Sequence, residues 1–175
     1  MFPLWAYLDR VRDAIVAAKY AHQAPLSDAL GRRLAERLSL LVEHDCPDVV
    51  TFVPSHFSRQ FSRGGNSNVT TATAVATRIG RHCRQLLRIT RRIEKQAWLD
   101  EAERAKNVLG AFAPKKSYAL MRLTGRVDSQ IADRHILMVD DVMTTGATAN
   151  EVAGVLKEAG ANRVTFAVIA RAVGS

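Results

Sequence analysis

Residues 136–148, Ile-Leu-Met-Val-Asp-Asp-Val-Met-Thr-Thr-Gly-Ala-Thr, constrain this chain more than any other stretch. An apolar strand runs into two adjacent carboxylates and then into a short loop carrying hydroxyls and a glycine. After the loop, Val152, Val155, Leu156 and Ala159 fall on one helical face, so the loop amides sit at a helix N-terminus. Those amides and the helix dipole favour a dianionic phosphate. Gly146 lets the backbone approach such a ligand closely, and the hydroxyls of Thr144, Thr145 and Thr148 donate to its oxygens. Asp140 and Asp141, acceptors only when ionised, suit sugar hydroxyls. Taken singly, either carboxylate also reads as the cap of the helix that follows a buried strand.

The 175 residues are 47% hydrophobic and 24% charged, enough for one well-filled core. The net charge of +8 is dominated by arginine, whose planar fork suits phosphate oxygens. At long range such an excess attracts a phosphorylated small substrate and a nucleic acid alike. The run Arg78, Arg81, Arg84, Arg88, Arg91 and Arg92 is either part of that attraction or a solvated face. Cys46 and Cys83 form no Cys-x-x-Cys pair and have no companion histidines at metal spacing, so neither a disulfide framework nor a zinc module is indicated. A reducing cytoplasm is the expected location. Residues 1–8 are broken by Pro3 and stopped by Asp9 and Arg10, too short for a signal core or membrane span.

Along the chain, residues 27–42 carry Leu30, Leu34, Leu38 and Leu41 at helical intervals, with Ser27 as cap and Arg32, Arg33, Glu36 and Arg37 facing out. The β-branched run 49–53 ends at Pro54 and predicts the first strand of a sheet. A polar loop over 54–68 leads to a helical stripe, Val69, Ala72, Ala76 and Ile79, that stops near Gly80. Residues 86–90 predict a second strand, 99–107 a helical segment, and 118–123 a short strand. Strand 136–142, a helix to Ala159 with a stop at Gly160, and strand 164–170 form a βαβ unit. No repeat or linker divides the chain. A single domain over 1–175 is expected, with a helical portion at 1–42 and an α/β core at 49–171.

The string at 136–148 resembles the phosphoribosyl diphosphate (PRPP) signature of type I phosphoribosyltransferases. There, four apolar residues precede two acids and Thr-Thr-Gly-x-Thr follows after two residues; Ala147 stands where many members carry a second glycine. Further blocks resemble the competence protein ComF family, also called GntX-like. They are Val53-Pro54-Ser55-His56 with Arg59 and Arg63-Gly64-Gly65-Asn66, then Arg92, Gln96, Leu99, Glu103-Arg104, Asn107-Val108 and Gly110-Ala111-Phe112. The final stretch, 156–161 and 164–171, is similar too. The chain departs from that family in lacking its four-cysteine zinc module, so zinc is not carried over. It also has Arg63-Gly64-Gly65-Asn66-Ser67 where members carry Arg-Gly-Phe-Asn-Gln.

The resemblance implies an α/β, type I phosphoribosyltransferase (Rossmann-like) fold: a mainly parallel sheet flanked by helices, with a short helical N-terminal portion. It implies Mg²⁺-dependent transfer of phosphoribosyl from PRPP to an unknown nucleophilic acceptor with release of pyrophosphate. Asp140 and Asp141 would contact the ribose and serve Mg²⁺, one of them through water; Thr144, Thr145, Gly146, Ala147 and Thr148 would hold the 5′-phosphate. Pro54, Ser55, His56, Arg59 and Arg63 would bind pyrophosphate, where an ordinary basic surface loop is the plainer reading. Arg92, Lys95, Gln96 and Arg104 fall on the mobile catalytic loop of such enzymes, or on an exposed amphipathic helix; Arg92, Lys95 and Arg104 join the aspartates as expected catalytic groups. A homodimer is common in the superfamily. The alternative is a non-catalytic factor that binds PRPP or single-stranded DNA during DNA uptake. A phospho-acceptor aspartate of receiver type is a third reading, against which the Thr-Thr-Gly-x-Thr loop stands.

Overall fold

A computed structural model describes residues 1–42, 45–54, 66–91, 101–115 and 130–172. Its centre is β6 (His135–Met143), whose apolar half is flanked by β2 (Val49–Phe52) and β7 (Arg163–Arg171), both parallel to it. With β1 (Phe2–Ala6) beside β7 and β3 (His82–Cys83) beside β2, the sheet runs β1-β7-β6-β2-β3 and every pairing in it is parallel. Parallel strands are covered on both faces, which is why the strands at 49–53 and 136–139 read as continuous apolar runs rather than alternating ones.

Two crossovers leave the centre in opposite directions. From β2 the chain passes through α3 (Ser67–Arg78) to β3, and from β6 through α5 (Ala147–Glu158) to β7. Crossovers of one hand running in opposite directions cover opposite faces. Accordingly Leu137 and Val139 pack with Ala72, Val75 and Ala76 of α3 and with Leu34, Ala35 and Leu38 of α2 (Ala24–Val42). Ile136 and Met138, pointing the other way, pack with Val152 and Leu156 of α5. The order of strands therefore reverses between β2 and β6, the place where open α/β sheets form their ligand crevice.

The mainly parallel sheet flanked by helices matches the expected fold class, and the expected strands and helices at 49–53, 69–79, 136–142, to 159 and 164–170 are all present within one or two residues. Four local expectations need correction. The helical N-terminal portion comprises α1 (Asp9–Ala18), a single 3₁₀ turn and α2, but a strand precedes it: Phe2–Ala6 gains its regularity from pairing with β7 rather than from any local pattern. Helix α2 begins three residues before Ser27, with Pro25 in its first turn, where a missing N–H costs nothing. Ser27 is not the cap; its buried hydroxyl donates to the Ala18 carbonyl at 2.9 Å and ties α1 to α2. The strand near 86–90, β4 (Leu87–Ile89), lies outside the main sheet and pairs antiparallel with β5 (Phe112–Pro114). The place beside β2 is taken by β3, whose two residues are too few for a pattern to reveal. Between β4 and β5 comes α4 (Glu101–Val108). The strand candidate at 118–123 lies outside the described residues.

Helices α2 and α3 approach closely at Gly31, where an added Cβ would stand 2.6 Å from the Thr71 carbonyl oxygen and 2.8 Å from the Ala74 Cβ. Backbone cannot yield there as a side chain would. Gly31→Ala is expected to destabilise the protein by about 1–3 kcal/mol, read as a lower urea midpoint with an unchanged m-value.

Candidate functional site

Pairing of β6 with β7 continues to Met143, whereas its pairing with β2 ends at Val139. The cause is local. Val53 still donates its amide to the Val139 carbonyl at 3.1 Å, but Pro54, which is buried, has no N–H with which to extend the ladder. The strands part there, and Asn68 at the start of α3 fills the gap. Its Nδ2 donates to the Val53 carbonyl at 3.1 Å and to Asp140 Oδ1 at 2.9 Å.

Asp140 faces a cavity of about 270 Å³ lined by Asn107, Val108, Val142, Met143, the loop Thr144 to Thr148, Ala149 and Phe166. All five residues expected to hold a phosphate thus lie on one wall beside the first acid. Gly146 adopts a left-handed φ of 85°, a conformation that L side chains rarely adopt, and serves as the N-cap of α5 without any side-chain hydrogen bond to the helix. Its carbonyl accepts the first helical bond, from Asn150 N–H at 2.9 Å. The Ala147 amide donates to the Thr145 hydroxyl oxygen at 3.4 Å, and the other amides of the first turn have no partner within the helix, an arrangement suited to a bound anion. Open space surrounds Gly146, so the turn is not filled by neighbouring side chains.

The two acids occupy different settings. Asp140 Oδ1 also accepts the Asp141 amide at 2.9 Å. Burial, and then the charge of Asp141, push the Asp140 carboxyl up to about 8, against the opposing pull of the Asp141 amide, Asn68 and Lys19. Asp141 is not among the residues lining the cavity. Its Oδ1 accepts the Val142 amide at 2.7 Å and its Oδ2 pairs with Lys19 Nζ at 2.7 Å. Among the described residues no group of three or more His, Cys, Asp or Glu is placed to hold a metal ion.

Of the remaining expected site residues, Pro54 stands at the mouth of the crevice, at the end of β2. Ser55, His56, Arg59, Arg63, Arg92, Lys95 and Gln96 lie outside the described residues. Arg104 is placed on α4 by its backbone. That helix ends in contact with the site: Asn107 and Val108 line the cavity, and Arg91 donates to the carbonyls of Asn107 at 3.1 Å and Leu109 at 2.6 Å. The following turn is fastened to α5, since the Gly110 amide donates to Glu151 Oε1 at 2.7 Å. Asn68, Lys19 and Asn107 were not picked out as site residues from the sequence. Only Asn107 carried a sequence signal, its place in the Asn107-Val108 block that resembles the ComF family.

The family profile described as a phosphoribosyl transferase domain matches residues 29–174. The chain is 28% identical over 178 residues to the DNA utilization protein YhgH of Escherichia coli (strain K12), covering 93% of this chain and 70% of that protein. It is 25% identical over 144 residues to the amidophosphoribosyltransferase of Lachancea kluyveri, covering 82% of this chain and 24% of the relative. Among solved structures it is similar to the glutamine PRPP amidotransferase from B. subtilis complexed with ADP and GMP. That likeness has 21% identity and a TM-score of 0.49, over 81% of this chain and 25% of the other. The chain thus spans about a quarter of the length of the latter two proteins.

The raised pKa of Asp140 has a direct consequence for stability. In an unfolded chain this carboxyl ionises near pH 4, as an ordinary aspartate does, whereas in the folded protein it holds its proton to about pH 8. Between those values the folded state binds more protons, so this group makes stability fall as pH rises through the window. Asp140→Asn keeps an acceptor for Asn68 and removes the ionisation. The variant is expected to gain about 1–3 kcal/mol over the unmodified protein at pH 8 and little at pH 4, measured by urea unfolding at both values.

Proposed function

The chain belongs to the phosphoribosyl transferase domain family and is ComF-like within it, and on that premise we propose that it binds PRPP and, with Mg²⁺, transfers the phosphoribosyl group to a nucleophilic acceptor. The observation that carries this reading is the meeting of left-handed Gly146, the first turn of α5 and Asp140 around one cavity. In this reading the 5′-phosphate caps α5, taking the first-turn amides and the hydroxyls of Thr144, Thr145 and Thr148. Asp140 accepts from a ribose hydroxyl. The diphosphate extends towards the end of β2, where Pro54, Ser55 and His56 with Arg59 and Arg63 would receive it.

Transfer requires an incoming lone pair to form a bond to C1 of the ribose while the C1–O bond breaks and pyrophosphate departs with the bonding electrons. The acceptor's proton passes to solvent. No protein nucleophile is needed, so the chain's part is to position the two reactants and stabilise charge. Magnesium keeps several waters and is bound through one or two carboxylates together with substrate phosphates. The donor set fits an ion of that kind: Asp140 faces the cavity, with Asp141 behind it, and a bound cation would hold ionised a carboxyl that otherwise keeps its proton to about pH 8. When bound, Mg²⁺ would neutralise the departing diphosphate. Arg92 and Lys95, before α4, and Arg104, on α4, would be the catalytic groups that act on it.

The second reading, an accessory factor that binds PRPP or single-stranded DNA without turnover, is favoured by the similarity to a protein named for DNA utilization and by the net charge of +8. Arg78, Arg84 and Arg88 are exposed, whereas Arg81 is engaged with Cys46 and Arg91 with backbone carbonyls.

Calorimetric titration with PRPP and Mg²⁺ tests both readings. Binding is expected in the unmodified protein and is expected to weaken by about 10-fold or more in Asp140→Asn plus Asp141→Asn, through loss of charge-assisted hydrogen bonds. Pyrophosphate release across an acceptor panel supports the transferase, and binding without release supports the accessory role. No uptake of PRPP overturns both the transferase and the PRPP-binding form of the second. Single-stranded DNA affinity that falls with salt at a slope of about −0.7 per phosphate contact supports the DNA-binding form, and no binding at low salt removes it.

A further inference from the structure

The acidic pair is already half neutralised by a group from the far end of the chain. Lys19 Nζ lies 2.7 Å from Asp141 Oδ2, and each side chain keeps only about a quarter of its surface, 27% and 21%. Lysine at this point is not a loose surface charge. It is the C-cap of α1, with its amide bonded to the carbonyls of Val16 and Ala17. The helix beneath it is fixed in two ways. Ile15 and Ala18 are buried against Leu30, Ile169 and Ala170, with Val142 of β6 packed on the same cluster. The Ala18 carbonyl, immediately before Lys19, accepts the buried Ser27 hydroxyl. A pinned helix end therefore delivers an ammonium to the second acid, on the side away from the cavity.

We propose that Lys19 is the resident counter-cation of the site: it occupies Asp141, docks α1 on the carboxyl edge of the sheet, and leaves Asp140 as the carboxylate open to a metal ion carried in by the ligand. This rests on the reading of the cavity as a site for a metal-bound diphosphate ester. It makes Lys19 a positioning residue rather than a catalytic one. Two adjacent carboxylates without a counter-ion would attract a divalent cation in the absence of any ligand; with Lys19 in place, the cation is expected to bind well only together with the diphosphate. The N-terminal portion thereby sets the order in which the site is filled.

The test uses Mn²⁺ alone, without PRPP, titrated into the full chain and followed by electron paramagnetic resonance of the free ion. The unmodified protein is expected to bind it weakly. Lys19→Met is expected to bind Mn²⁺ about 10-fold more tightly, because divalent-cation affinity follows the number of available carboxylate charges. Lys19→Gln retains a hydrogen-bond donor for Asp141 and so keeps α1 docked; the same tightening is expected, which guards against a Met variant that loosens the helix. Lys19→Arg is expected to bind as weakly as the unmodified protein, and Lys19→Met combined with Asp141→Asn to return to that weakness. Unchanged Mn²⁺ affinity in a folded Lys19→Gln protein, even with a lowered melting temperature, would show a merely structural pair and overturn the assignment. Failure of the unmodified protein to bind PRPP would instead remove the proposed function and leave the Mn²⁺ comparison readable.

Discussion

Strand β6 is held on both sides for its first half and on one side for its second: pairing with β2 ends at Val139, with β7 at Met143. That asymmetry is the constraint from which the site follows. A parallel sheet whose crossovers leave in opposite directions must open between its two central strands, and Pro54 sets where by having no amide to donate. Asn68 then makes both hydrogen bonds that the parted strands leave available at this point, one to the Val53 carbonyl and one to Asp140. The acid is oriented by the same residue that seals the end of the ladder, so shape and chemistry at the crevice have one origin.

The loop that follows shows local preference working against stability. Gly146 adopts a left-handed conformation and presents no side chain to cap α5, so the start of the helix relies on the Thr145 hydroxyl, which accepts the Ala147 amide at 3.4 Å. A better-capped helix would be more stable. Asp140 adds a second such cost, because its neighbour's charge and its burial both disfavour the ionised form. Strained or poorly solvated groups of this kind persist where the surrounding packing is strong enough to hold them. Here that packing is the double-sided core of Ile136 to Val139, buried against α5 on one face and against α2 and α3 on the other.

The central strands β2 and β6 and the helices that follow them were legible because their signals are local. An apolar run ended by Pro54 or by paired acids, and a 3.6-residue stripe ended by Gly80 or Gly160, need no tertiary information. The loop at 144–148 between strand and helix was legible for the same reason, every member lying within five residues. Strands β1 and β3 were not, since Phe2–Ala6 and His82–Cys83 are ordered by the neighbours they pair with. Ser27 misled because a hydroxyl near a helix start serves equally to cap or to tether, and the choice depended on where Ala18 would lie. Asn68 and Lys19 carried no local pattern for ligand binding. They reach the acids from 72 and 122 positions away in the chain, and such a relation is a property of topology rather than of spacing.

The same separations bear on how the site comes into being. Its loop is local, but its acids acquire partners only after β2, β6 and β7 are in register and α1 is seated over β7 and the end of β6. Contacts of high sequence separation form late and together, since loop closure is opposed by chain entropy until several are made at once. A slip of one residue between β2 and β6 would exchange the faces of Leu137 and Met138 and turn Asp140 away from the cavity. Register is therefore selected by burial of the apolar half of β6, and the acidic half inherits it. The polar site has no independent means of forming. It is positioned by the hydrophobic core immediately upstream, Ile136 to Val139, which sets where the strand ends and the loop at 144–146 begins.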